Sequence, residues 1–144
     1  MPLNNPSPNP TKPAISTKFI VLGEDDADDE EILKEVFTTV DDSFELEFIN
    51  NGRKLIASLE SLDDRKLPCI IILDYNMPEL NGAEILDELR KKKRYDHIPK
   101  IIWSTSGSDT YKQKCLHLGA SEYLTKPSSF QGLTEVARYM LSFC

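Results

Sequence analysis

Short apolar runs alternate with amphipathic stretches along most of this chain, and this alternation constrains the fold more than any other feature. Because parallel strands need a crossover connection, usually a helix, the alternation favours a parallel sheet. We predict an α/β fold of five βα units, in which a doubly wound, five-stranded parallel sheet has helices on both faces. The predicted strands are Phe19 to Leu22, Glu45 to Ile49, Cys69 to Leu73, Ile101 to Trp103, and Glu122 to Thr125.

A stretch with apolar residues at helical spacing follows each predicted strand. The third of these helices finishes in the basic cluster Arg90–Arg94, where cations complement the helix dipole, and Gly119 stops the fourth. That cluster also suits a nucleic-acid or localisation signal, although we favour the structural explanation. The apolar faces run over Ile32 to Val40, Leu55 to Leu59, Ile85 to Leu89, Thr110 to Leu118, and Leu133 to Leu141.

The first seventeen residues differ in composition from the rest. They hold five of the nine prolines in the chain, and after Met1, Leu3 is the only large apolar residue among the first fourteen. We therefore predict a disordered Pro/Asn-rich tail over residues 1–17 and one folded domain over residues 18–144.

Charge and apolar patterning exclude several classes of partner. With 17 Lys plus Arg against 24 Asp plus Glu, the net charge is −7, which is opposite in sign to what nucleic acid binding requires. Neither a secretory signal nor an apolar run long enough to span a membrane is present. We therefore predict a cytoplasmic protein that binds neither nucleic acid nor membrane.

The three cysteines predict no disulfide framework. Cys69, Cys115 and Cys144 form an odd set without metal-ligand spacing, so reduced thiols in a cytoplasm fit better. Cys69 is most simply a small apolar residue in its strand.

Polar residues follow four of the five predicted strands, at the edge where parallel sheets bind ligands. Neighbouring carboxylates resist ionising together unless a cation is present, and oxygen ligands suit Mg²⁺. A lysine and a hydroxyl there add groups that stabilise a phosphoryl group in transfer, and Asp74 is a possible acceptor. The residues are Glu24, Asp25 and Asp26, then Asp74, Tyr75 and Asn76, then Ser104, Thr105 and Ser106, and finally Lys126 and Pro127.

Each of these residues also has an ordinary structural explanation. The acidic run Glu24–Glu31 suits a solvated helix start, in which Asp26 caps the helix and the later acids face water. Taken alone, Asp74, Ser104 and Lys126 are equally typical of turns and loops. It is their joint occurrence at strand ends that favours a site.

Four segments together resemble, in order, the motifs of bacterial two-component response-regulator receiver domains. They are VLGEDDADD (Val21–Asp29), IIILDYNMPELNG (Ile70–Gly82), KIIWSTS (Lys100–Ser106) and GASEYLTKP (Gly119–Pro127). The resemblance covers about residues 18–144 and extends to stand-alone chemotaxis regulators and regulators that accompany phytochromes. It implies a flavodoxin-like (βα)5 fold with strand order 2-1-3-4-5. Because no output domain follows the last helix, we expect a stand-alone receiver.

The resemblance also implies a role for each residue of the site. Asp74 matches the phosphoacceptor. Glu24 and Asp25 match the acidic pair that, together with Asp74 and the backbone carbonyl of Asn76, holds Mg²⁺ or Mn²⁺. Lys126 matches the lysine that contacts the phosphoryl group.

Further positions match the switch of the family. Ser104 stands where a hydroxyl, more commonly threonine, contacts the phosphoryl group, and Tyr123 matches the aromatic residue that swings inward in response. We expect Thr105, beside Ser104, to slow the access of phosphodonors and water. The resemblance also makes Lys126–Pro127 a candidate cis peptide.

The function that the resemblance implies is a phosphorylation-controlled switch rather than an enzyme acting on other molecules. The partners that it implies are a sensor histidine kinase or phosphotransfer protein, a downstream protein target, and a second copy bound through the face of the fourth and fifth βα units. The main alternative is a binding module of the same fold that works without phosphorylation. A third possibility is a metal-dependent phosphatase, for which the sequence indicates no substrate pocket.

Overall fold

Strands and helices alternate through the computed structural model, which describes residues 18–144. The predicted tail over residues 1–17 lies outside the described residues. The elements are β1 (Phe19–Gly23), α1 (Ala27–Val40), β2 (Glu45–Ile49), α2 (Gly52–Glu60), β3 (Ile70–Asp74), α3 (Gly82–Leu89), β4 (Lys100–Ser104), α4 (Asp109–His117), β5 (Glu122–Thr125) and α5 (Phe130–Leu141), with short 3₁₀ turns over Asp64–Lys66 and Lys93–Tyr95.

The five strands form one parallel sheet in the order β2-β1-β3-β4-β5, which confirms the predicted fold. Helices cover both faces, and each face has its own apolar core. Strand β1 shows how the faces alternate, since Val21 packs in one core while Ile20 and Leu22 pack in the other.

Register places the ends of the strands side by side. Gly23 pairs with Leu73, Asp74 with Trp103, and Ser104 with Thr125. The residues that end or directly follow β1, β3, β4 and β5 therefore meet at one edge, which we call the carboxyl edge. The opposite edge, where the strands begin, is called the amino edge.

Local signals at the helix ends act as predicted. The side chain of Asp26 caps α1 by accepting hydrogen bonds from the backbone N–H groups of Asp28 and Asp29, at 2.9 and 3.0 Å. Gly119 follows α4 with φ of 108°, a left-handed conformation that only glycine adopts without strain.

The basic cluster Arg90–Arg94 lies at and beyond the end of α3 rather than within its last turn, which holds no basic residue. Four of its five cations pair with acidic side chains. The ion pairs are Arg90 with Asp87 at 2.8 Å, Lys91 with Glu88 at 3.2 Å, Arg94 with Asp64 at 2.9 Å, and Lys92 with Glu60.

Two expectations from the sequence are wrong. Cys69 and Cys144 form a disulfide, because the chain after α5 returns to the amino edge and brings their Cα atoms to 5.3 Å across 75 residues of sequence. Cys69 is thus half-buried and bonded rather than a reduced core residue, while Cys115 is free and buried. The peptide Lys126–Pro127 is trans, since residues 18–144 contain no cis peptide, in line with the lower energy of the trans form.

Within residues 18–144, no helix has both the length and the apolar character that a membrane crossing requires.

Candidate functional site

Three carboxylates meet at the carboxyl edge. Glu24 and Asp25 directly follow β1, and Asp74 ends the neighbouring strand β3. One carboxylate oxygen from each lies within 4.8 Å of the other two. Glu24 and Asp74 are buried, at 1% and 6% exposure, whereas Asp25 is open to solvent. The sheet therefore brings Asp74 to an acidic pair that lies far from it in sequence, and two of the three acids are buried.

Lys126, which follows β5, is the cation of this cluster. Its Nζ donates to Asp74 Oδ2 at 2.6 Å and lies 3.4 Å from Glu24 Oε1 and 3.5 Å from Asp29 Oδ2. The ammonium also stands 4.9 Å from the centre of the Trp103 ring, within the range of a cation–π contact. One partly buried lysine, with its side chain 11% exposed, thus faces several acids at once.

Burial and like charge shift the acid–base properties of the cluster. Burial, and then the nearby charge of Asp74, raise the pKa of Glu24 from 4.5 to about 8, against the smaller opposing effect of Lys126. Burial works to lower the pKa of Lys126, but its hydrogen bond to Asp74 and the surrounding carboxylates outweigh burial and raise that pKa. Glu24 is therefore the acid of this cluster whose ionisation is opposed, first by burial and then by the charge of Asp74.

This donor set fits a divalent cation. Carboxylate oxygens are the hard ligands that Mg²⁺ and Mn²⁺ take in proteins, and Mg²⁺ binds through one or two carboxylates while keeping several waters. The exposed Asp25 leaves one side of the cluster open to such waters. A bound cation would also supply the positive charge that Glu24 lacks.

The loop after Asp74 is held in place by backbone hydrogen bonds. Asp74 Oδ1 accepts from the N–H of Asn76 at 2.9 Å. Tyr75 donates its N–H to the Trp103 carbonyl and accepts at its own carbonyl from Gly82 N–H, at 3.2 and 2.8 Å. A Cβ on Gly82 would stand 3.1 Å from Tyr75 Cα, so glycine allows α3 to begin close to this loop.

Ser104 and Tyr123 are linked through a third residue. Ser104 is fully buried, and its Oγ accepts from the N–H of Ser106 at 3.1 Å. Tyr123, 7% exposed, donates its hydroxyl hydrogen to the Ser106 carbonyl at 2.9 Å. Thr105, between these serines, is exposed. The backbone of Ser106 thus connects the two predicted switch residues.

Sequence reasoning missed three contributors. The prediction that Asp29 faces water with the later acids of its run holds for only part of its side chain, which is 44% exposed, because α1 also brings Asp29 to 3.5 Å from Lys126 Nζ. The Trp103 ring and the bridging backbone of Ser106 were not singled out. The available signal for Asp29 was its position one turn after Asp25 in the first turn of α1.

The family of response regulator receiver domains matches residues 20–138, most of the chain, so the chain belongs to this family. Receiver domains are the signalling switches of two-component systems, which makes phosphoacceptor signalling the class of function. The resemblance found in the four motifs is confirmed.

Individual relatives agree with this assignment. Response regulator Rcp1 of Synechocystis sp. is 28% identical over 129 residues, which are 88% of this chain and 88% of Rcp1. A crystal structure of the Mn²⁺-bound form of Rcp1 superimposes with a TM-score of 0.76 and 28% identity, covering 88% of this chain and 93% of that chain. The phosphorylated cyanobacterial phytochrome response regulator RcpA gives a TM-score of 0.79 at 24% identity, covering 90% and 97%, and supports the fold.

One relative matches only through part of its length. A protein-glutamate methylesterase/protein-glutamine glutaminase of Treponema denticola is 44% identical over 80 residues, which are 54% of this chain but 20% of that protein. The match with this relative therefore covers a fifth of its length.

Proposed function

We propose that this chain accepts a phosphoryl group on Asp74 from a sensor histidine kinase or phosphotransfer protein and thereby switches its binding to a downstream protein. The observation that carries the proposal is the setting of Asp74: a buried carboxylate at a strand end, 2.6 Å from Lys126 Nζ and beside two further acids. Among residues 18–144, the other buried carboxylate is that of Glu24, which belongs to the same cluster.

The chemical step is a transfer between two nucleophiles. An Asp74 carboxylate oxygen attacks the phosphorus of a phosphohistidine, the P–N bond breaks, and its electron pair stays on the histidine nitrogen, which takes up a proton. Water later attacks the acyl phosphate on Asp74, and the P–O bond to Asp74 breaks to release inorganic phosphate and the free carboxylate.

Glu24, Asp25, Asp74 and the backbone carbonyl of Asn76 would hold Mg²⁺ or Mn²⁺. The cation supplies positive charge that balances the oxygens of the transferring group. Lys126 donates to the Asp74 carboxylate, and we propose that it holds the phosphoryl group after transfer.

The switch would act through Ser104. Its buried hydroxyl can turn to the phosphoryl group and release the N–H of Ser106, whose carbonyl holds Tyr123. We propose that Thr105, exposed beside Ser104, limits the access of donors and water. The phosphoryl group would thus select between two arrangements of the loop after β4.

We further propose protein partners rather than nucleic acid, given the net charge of −7. A second copy could bind through the face formed by α4, β5 and α5. We propose that the switch acts in the cytoplasm, where kinases take the phosphoryl group from ATP. The disulfide Cys69–Cys144 is the feature that argues against this location, since disulfides are rare in reducing compartments.

The test is intact mass after incubation with acetyl phosphate and Mg²⁺. The wild type is expected to gain one phosphoryl group, and Asp74→Asn or added chelator should prevent the gain. Asp87→Asn is the matched control, since Asp87 is exposed and paired with Arg90. Equal labelling of Asp74→Asn would disprove Asp74 as acceptor. No labelling, together with no Mg²⁺ binding by calorimetry, would favour the phosphorylation-independent module.

A further inference from the structure

The residue that follows Asp74, the proposed phosphoacceptor, stacks its ring on a second tyrosine. Tyr75 follows Asp74 in the chain, and its ring lies parallel to that of Tyr111 in α4, with 4.7 Å between centroids and 10° between planes. Tyr75 is 7% exposed and Tyr111 is 41% exposed. The pair therefore joins the residue next to Asp74 to a helix whose outer side is open to solvent.

The backbone of Tyr75 is fixed to both neighbouring elements. Its N–H bonds to Trp103 in β4, and its carbonyl bonds to Gly82 at the start of α3. Because both backbone groups of Tyr75 are held, the loop can absorb little of a displacement at Asp74 before it reaches the Tyr75 side chain. The stacked ring of Tyr75 is the contact through which such a displacement would reach Tyr111.

Helix α4 has few other apolar attachments. Of its nine residues, only Cys115 is buried. Because a helix in a protein owes most of its stability to the packing of its apolar face, the stack at Tyr111 is a large share of what holds α4 to the domain. A small change in the geometry of the stack should therefore change the order or position of α4.

We propose that the Tyr75–Tyr111 stack transmits the chemical state of Asp74 to α4, by a route separate from the one through Ser104, Ser106 and Tyr123. This inference rests on the proposed function of Asp74. Tyr75 and Tyr111 are positioning residues, since they act through the loop and the helix. Coupling between two binding sites is reciprocal. If a ligand at Asp74 changes the affinity of a protein that contacts the exposed side of Tyr111, that protein changes the affinity for the ligand at Asp74 by the same factor.

The experiment uses beryllofluoride with Mg²⁺ as a mimic of the phosphoryl group. Hydrogen exchange of the α4 amides is measured with and without the mimic, and its affinity is followed by fluorescence of Trp103, which lies over Lys126. Wild-type α4 is expected to change its protection on binding. Tyr111→Leu should remove most of that change, whereas Tyr111→Phe, which keeps the ring, should retain it.

The affinity for the mimic should change by roughly 2- to 12-fold in Tyr111→Leu, which corresponds to the range of about 0.5–1.5 kcal/mol for an aromatic pair. Tyr139→Leu is the matched control, because Tyr139 is also a half-exposed tyrosine but lies on α5 against Phe143. It should behave as wild type in both measurements.

A double-mutant cycle separates the stack from a general loss of stability. If Tyr75 and Tyr111 act as one unit, Tyr75→Leu with Tyr111→Leu changes the affinity no more than either single variant does. This comparison of affinities remains valid even if the α4 amides of a variant lose all protection from hydrogen exchange. Additive changes in the cycle would overturn the inference.

The remaining outcomes distinguish this inference from the function on which it rests. If wild type binds the mimic but α4 does not respond, or Tyr111→Leu responds fully, the stack is not the route and the proposed function stands. If wild type binds neither Mg²⁺ nor the mimic, the proposed function itself fails, and this inference fails with it.

Discussion

The carboxyl and amino edges of the sheet both bury charged groups, but they satisfy them differently. At the carboxyl edge, Glu24 and Asp74 share one lysine with further acids, and the pKa of Glu24 is raised to about 8. At the amino edge, Lys100 is 7% exposed and donates to the backbone carbonyl of Tyr95, and burial lowers its pKa. A single buried ammonium is satisfied by a neutral acceptor, whereas the acids form a group that needs a cation.

The two edges are also held together by different forces. The amino edge is closed covalently by Cys69–Cys144, and the nearby cations of Arg90–Arg94 pair with exposed acids. Exposed pairs of this kind contribute about 0–1 kcal/mol each. The difference teaches that charge density in the sequence is not what indicates a site. What indicates a site is a group of buried charges at strand ends in which one sign outnumbers the other.

Removal of Lys126 should have the largest effect. In metal-free protein, Lys126→Met leaves the buried carboxylates without their cation, and breaking a buried pair in this way costs about 3–5 kcal/mol. Urea unfolding in chelator measures the loss, and added Mg²⁺ should restore part of it. Lys91→Met is the control, because its exposed pair with Glu88 should contribute less than about 1 kcal/mol. Equal losses in both variants would contradict the contrast between the edges.

Reduction of the disulfide should have the next largest effect. The bond closes a loop across 75 residues of sequence, and disulfides typically stabilise by about 2–4 kcal/mol. Wild type should lose this much unfolding free energy in reductant, while Cys144→Ser should not respond. Affinity for beryllofluoride should stay unchanged, since the bond lies at the opposite edge from Asp74. Two free thiols at these positions in the native protein, detected by alkylation and mass, would contradict the pairing.

The pH dependence of stability should reveal Glu24. Folded Glu24 keeps its proton up to about pH 8, while the unfolded carboxyl releases it near pH 4.5. The folded state therefore binds more protons between these values, and stability falls as pH rises through this window. From pH 6 to pH 8 we expect metal-free wild type to lose about 2 kcal/mol more than Glu24→Gln.

Mg²⁺ provides the check on this prediction. Because a bound cation favours the ionised carboxylate, saturating Mg²⁺ should flatten the difference between wild type and Glu24→Gln. Urea midpoints measured every half pH unit, with and without the metal, test both statements. A difference that stays constant from pH 6 to pH 8 would show that Glu24 is already ionised in the folded protein.

Much of the site could be predicted because its residues are tied to the ends of strands. Apolar periodicity located β1, β3, β4 and β5, and residues at the carboxyl ends of neighbouring parallel strands must come together. Glu24, Asp25, Asp74 and Lys126 meet as expected for this reason. The strand order came from the family motifs, since periodicity alone does not order strands.

The missed features depend on the relative placement of separate elements. Asp29 reaches Lys126 because α1 packs at a particular rotation on the sheet, and the Tyr75–Tyr111 stack depends on where α4 lies over the loop after β3. Hydrophobic periodicity reports which face of a helix is buried but not which distant side chain that face meets.

The amino-acid sequence by itself was sufficient to predict the alternation of strands and helices, the cap at Asp26, the turn at Gly119 and the set of polar groups at the carboxyl edge. Only the packed chain decided the pairing of Cys69 with Cys144, the burial that raises the pKa of Glu24, and the contact of the two tyrosines. The reason is physical: periodicity and capping act over a few residues, whereas burial, disulfide geometry and ring stacking depend on distances between segments that only folding sets.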